Sequence, residues 1–137
     1  MKVPGLRHSA ENVGGIVFFG RMLDKARLHS EGKLPSDYKH GSGTDLRVCK
    51  LLGVDYSQVK GKALAGLNDE AILEWCFANG RKPSEDEILM FNAYLIKRGW
   101  RDDYTEELER MKRDRGFSHR ADIQTFFDFH KADEAED

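Results

Sequence analysis

The stretch from Asn68 to Trp100 constrains the fold most, because it holds two amphipathic segments set head to tail, each with a start signal, a dense apolar face and a terminal glycine. Asn68 or Asp69 can cap the first, since a short side-chain oxygen accepts a free amide of the first turn, and Glu70 adds negative charge where the helix dipole favours it. Ile72, Leu73, Cys76 and Phe77 then share one broad face, which Trp75 widens, and Gly80 is expected to end the helix in a left-handed conformation. Arg81, Lys82 and Pro83 connect to the second segment. There Ser84 and Glu87 form a capping box, and Gly99 follows Lys97 and Arg98, two cations suited to the negative end of the dipole.

Between these signals Ile88, Leu89, Met90, Phe91, Ala93, Tyr94, Leu95 and Ile96 are apolar almost all round the wheel, the pattern of a central core helix. Trp75, Phe77, Phe91 and Leu95 are expected to pack between the two helices. Asn92 falls in the most apolar arc, where a buried amide needs hydrogen-bond partners. It is either a structural tie to a neighbouring element or a ligand contact.

The rest of the chain continues the pattern. Residues 1–12 read as an N-terminal arm, with Pro4 and Gly5 opposing regular structure. Ile16, Val17, Phe18 and Phe19 could form a short buried strand, yet Ile16, Phe19, Leu23 and Ala26 fall on one helical face, which favours a helix from about Gly15 to Glu31. On it Gly20, Asp24 and Arg27 form a narrow polar stripe bordered by apolar residues. Asp24 and Arg27 are close enough to pair, and Gly20 leaves room for another helix or a small ligand. Arg21, Lys25 and His29 lie further round, where a solvated face is expected.

Gly32 and Pro35 end that helix, and Ser36 to Thr44 reads as a loop. Its end, Gly41 to Asp45, opens a helix carrying Leu46, Cys49, Leu51 and Leu52. Free amides there could cradle a phosphate, but the lysine spacing of a phosphate-binding loop is missing, which favours a plain capped loop. Asp55 starts a short helix ended by Gly66. Asp102 to Arg115 forms a surface helix with Leu108 and Met111 on its buried edge, and Ser118 or Asp122 starts a last one with Ile123, Phe126 and Phe127. The expected fold is therefore all-α: a compact single-domain bundle of about six to seven short helices over 1–137, with an acidic tail at 132–137 that frays.

Charge excludes some functions. Twenty-two basic and 24 acidic residues, without a basic block, do not make a general nucleic-acid or anionic-membrane surface. No apolar run is long enough to span a bilayer, and the N-terminus lacks a signal-peptide core, so a soluble cytoplasmic protein is expected. Cys49 and Cys76 stand on separate helices and read as buried free thiols. Five scattered histidines offer no metal-ligand spacing, so neither a metal nor a cofactor is expected.

One resemblance covers nearly the whole chain. Gly14-Gly15, Arg21-Met22-Leu23-Asp24-Lys25, His29, Gly32-Lys33-Leu34-Pro35, Asp37-Tyr38, Leu52-Gly53-Val54-Asp55-Tyr56, Glu74-Trp75-Cys76-Phe77, Lys97-Arg98-Gly99-Trp100 and Asp122 through Phe129 together resemble the bacterial family called domain of unknown function 5069. The resemblance implies no reaction, substrate, cofactor or catalytic residue. The chain departs from it at Gly41-Ser42-Gly43-Thr44, where relatives carry a longer Gly-Lys-Gly-like loop.

Two functional readings follow. The first is a non-catalytic soluble helical binding or interaction module, with self-association possible, because no nucleophile with a base, metal cluster or phosphate motif stands out. The second is an anionic-metabolite binding protein or enzyme built on the Asp24 and Arg27 stripe, with Gly20, His29 and Asn92 as further ligand candidates. Catalytic residues, substrate and biological partner are not specified by these residues.

Overall fold

The computed structural model describes residues 1–135, and its first element is a hairpin where a helix is expected. Strands β1 (Asn12–Val13) and β2 (Ile16–Val17) are antiparallel, with Val13 opposite Ile16 and Asn12 opposite Val17. Gly14 and Gly15 join them with φ of 58° and 85°, and positive φ at both positions is what a two-residue turn matching the strand twist demands. Phe18 then adopts a left-handed conformation, φ 71°, and breaks the chain between strand and helix. The expected helix from Gly15 therefore begins at Phe19.

Seven helices follow among the described residues: α1 (Phe19–Ser30), α2 (Thr44–Leu52), α3 (Tyr56–Leu64), α4 (Asp69–Asn79), α5 (Glu85–Lys97), α6 (Thr105–Asp114) and α7 (Phe126–Glu134). The fold is all-α apart from the hairpin. Helix α1 occupies the centre, with most of its residues buried, and packs against α2, α3 and β1. Phe19, Met22 and Leu23 from α1 join Ile16, Val48, Leu52, Val59, Ile72, Cys76 and Leu95 in the main core. A second cluster of Leu108, Ile123 and Phe129 holds α6 to α7. Cys49 and Cys76 are free and buried, and burial pushes their thiols up to about 12 and about 11.

The start signals of α4 and α5 operate as the sequence indicates. Asn68 accepts a hydrogen bond from the Ala71 amide, and both halves of the Ser84–Glu87 capping box form. Gly80 acts differently from expectation: its φ of −114° is not left-handed, and it is needed for space, since a Cβ there would lie 2.0 Å from the Leu52 carbonyl oxygen.

Helix α5 is not the central helix. Leu95 is its one buried residue, Ile88 and Phe91 are partly buried against the core, and Leu89, Met90, Tyr94 and Ile96 are exposed. Trp75 and Phe77 are likewise only partly buried. A wheel that is apolar all round does not say which arc has neighbours; β2 and α7 cover only one. The surface helix begins at Thr105, because Asp102 accepts the Gly99 and Tyr104 amides in a turn before it. The last helix begins at Phe126, capped by Thr125. The acidic end is helical through Glu134, anchored by ion pairs from Asp133 and Glu134, whereas Glu136 and Asp137 lie outside the described residues.

The exposed and buried sides of α5 should separate in urea titrations. Leu95→Ala should cost about 2 to 5 kcal/mol, the range for a fully buried leucine. Met90→Ala should stay within about 0.5 kcal/mol of the parent.

Candidate functional site

The polar stripe of α1 is completed by a residue from the arm. Gly20 lacks a side chain where Arg7 crosses the helix, and a Cβ there would lie 2.6 Å from the guanidinium carbon. Arg7 donates from Nε to Asp24 Oδ2 at 2.9 Å, from Nη2 to Oδ1 at 3.0 Å and to the Gly20 carbonyl at 3.1 Å. Its backbone amide also reaches Asp24 Oδ2. Nη1 bonds to Asp69 at 2.7 Å, and Asp69 takes a second bond from Arg27 at 3.1 Å. Asp24 and Arg27 themselves are 3.8 Å apart. Two cations and two carboxylates thus bind the arm, α1 and the start of α4 together. Hydrogen bonding from Arg7, assisted by Arg27, holds the Asp69 carboxyl below its ordinary value.

The other sequence candidates lie elsewhere. His29 stacks on His40 with ring centroids 3.9 Å apart. Asn92 donates to the Gly15 carbonyl at 2.7 Å and accepts from the Val17 amide at 3.2 Å, fastening α5 to the hairpin.

Arg21 and Lys25 are not solvated: both are buried, and they floor a cleft of about 500 Å³ between α1, the loop before α2, α6 and α7. None of Gly20, Asp24, Arg27, His29 or Asn92 lines it. Arg21 makes a two-pronged pair with Glu134, both bonds at 2.7 Å, and Tyr38 donates to the same carboxylate at 2.9 Å. Burial first, then the charge of Glu134, pushes the Tyr38 phenol above its usual range, so it stays protonated and donating. Lys25 lies 3.0 Å from Asp45, which is wholly buried and accepts the Gly41 amide at 2.8 Å. Burial pushes Lys25 down and Asp45 up, and each opposes the other's shift. Beside this pair, His40 Nδ1 and Tyr56 Oη are buried without hydrogen-bond partners among the described residues.

Two features mark the cleft as more than a packing gap. Phe18, whose ring lies under Lys25 Nζ at 5.0 Å and Arg21 at 5.9 Å, carries left-handed backbone strain that costs an aromatic residue about 1 to 3 kcal/mol. His130, which lines the cleft, is held at Nδ1 by Ser9 Oγ at 2.6 Å, and its Nε2 is the ring nitrogen not engaged by that bond. Burial, with Arg21 and Lys25 nearby, holds His130 well below the usual histidine range, so the ring is neutral at pH 7. Ser9 is completely buried. At the mouth stand the exposed Lys39 and the start of α2, where Gly43 provides no side-chain cap. Among the described residues no three His, Cys, Asp or Glu side chains converge as metal ligands.

Local sequence signals for this cleft are weak. Arg21 and Lys25 recur at i and i+4 after an aromatic, which also describes a solvated face, and Ser9, Tyr38 and His130 come from segments far apart. The family model described as Domain of unknown function (DUF5069) matches residues 3–136, so the chain belongs to that family. No curated protein matches it.

The Arg7 network makes two predictions. In double-mutant cycles read by urea unfolding, Arg7 and Asp24 should couple by about 2 to 3 kcal/mol, and Asp24 with Arg27 by less than about 1 kcal/mol. The second concerns acid. Because the folded pKa of Asp69 lies below its unfolded value of 3.8, its contribution is complete above that value and is lost as pH falls through the folded pKa. Asp69→Asn should therefore lower stability at pH 7 and flatten the decline below pH 3.8, measured by thermal melts across the acid limb.

Proposed function

We propose that this member of the DUF5069 family is a non-catalytic binding protein that holds a small polar molecule in the cleft over Phe18. The observation that carries the reading is His130: a neutral imidazole lining a concave site, fixed at one nitrogen by a buried serine, with the other nitrogen not engaged by that bond. Such a group orients a ligand through one hydrogen bond, donating or accepting according to its tautomer. Phe18, Met111 and Phe129 supply an apolar surface, while the exposed Lys39 favours an acidic group.

Binding rather than catalysis is favoured by the same geometry. Ser9 is closed to any substrate, and burial shifts His130 away from the range in which a histidine exchanges protons near pH 7. The Asp24 and Arg27 stripe is better explained as docking, since its hydrogen-bonding capacity is taken by Arg7, Asp69 and backbone carbonyls.

A thermal-shift screen of small polar metabolites at millimolar concentration tests this. A ligand present at about a hundred times its Kd stabilises by about 2.7 kcal/mol, enough to read clearly. The shift should vanish in His130→Gln and weaken in Lys39→Ala, while persisting in His29→Ala. A metabolite whose shift survives His130→Gln unchanged would place binding outside the cleft.

A further inference from the structure

The exposed side of α5 is apolar, and its charges are arranged so that it complements itself. Asp86, Met90, Ala93 and Lys97 recur at i, i+4, i+7 and i+11, the spacing of a helix-pairing seam, and lie along the side away from Leu95. Leu89 and Ile96 flank this line on one side and Tyr94 on the other, with 67% of Leu89 and 60% of Met90 exposed. Such a face on a helix that is apolar all round calls for a partner. An acid stands at one end of the line and a base at the other; both are exposed, and among the described residues neither has an ion-pair partner.

We infer that this face binds a second copy of the chain, α5 against α5, antiparallel about a two-fold axis passing between Phe91 and Asn92. That axis sets Asp86 against Lys97 of the second copy and Met90 against its Ala93, and by symmetry the reverse. A parallel arrangement would set like charges together at each end. Ala93 borders an open groove of about 550 Å³ formed with Arg47, Tyr94, Lys97 and Trp100, which gives the long Met90 side chain of the second copy a place to lie. The opposed helix dipoles also favour the antiparallel choice. A 13-residue helix is about 20 Å long, which puts the contact at the small end of specific interfaces and makes the dimer reversible.

Sedimentation equilibrium of the full chain from about 1 to about 500 μM, a range that spans weak reversible association, reads the result directly. The parent should pass from monomer to dimer. Met90→Asp should weaken the dimer at least tenfold, with a thermal melt matching the parent at the lowest concentration, where both are monomeric, because the residue is exposed. Asp86→Lys and Lys97→Asp should each weaken it, and the two changes together should restore it, since the swapped charges again face each other across the axis. A chain that stays monomeric at the highest concentration would overturn the inference. A dimer indifferent to Met90→Asp, or one that the joint charge swap fails to restore, would overturn the antiparallel α5 contact.

Discussion

Arg21, Asp24 and Lys25 are all buried on one helix, and a buried charge persists only where a counter-charge meets it. Each of the three is met by a different part of the chain. Arg7 from the arm, which also binds Asp69 at the start of α4, neutralises Asp24. Glu134 near the end of α7 takes Arg21, and Asp45 in the first turn of α2 takes Lys25. Hydrophobic burial around Phe19, Met22 and Leu23 supplies the larger driving force, yet it is not directional. The ion pairs are directional, so they fix which segments close over α1 and in what orientation.

The same arrangement creates the cleft. Arg21 and Lys25 leave the α1 axis on the side where Phe18 turns the backbone, and their partners approach from α7 and from the first turn of α2. The space between those partners cannot be filled by apolar packing without stranding one of the charges. Tyr38 and His130 occupy part of it as neutral hydrogen-bonding groups. A polar, concave and partly open site is therefore a consequence of how the central helix is neutralised.

Helix α5 stands outside this scheme. Its inner side is tied by Leu95 to the core and by Asn92 to the hairpin, and its outer side keeps apolar groups in water. That surface is costly for an isolated domain and useful for an assembling one.

By itself the sequence determined the local structure of this protein. Asn68, Ser84 and Glu87 act within one helical turn of themselves, and so the starts of α4 and α5 were legible from spacing alone. The all-α class and the buried thiols follow from periodicities that are equally local. Gly14-Gly15 also carried a hairpin signal, but the apolar residues after it fit a helical face as well as a strand, and the left-handed turn at Phe18 has no residue-level marker. What only the tertiary structure decided is which arc of each helix finds a neighbour. Arg21 and Lys25 are buried and Leu89 and Met90 are exposed because Glu134, Asp45, β2 and α7 arrive where they do. A helical wheel ranks residues by polarity, whereas burial depends on contacts made by chain segments that are remote in sequence.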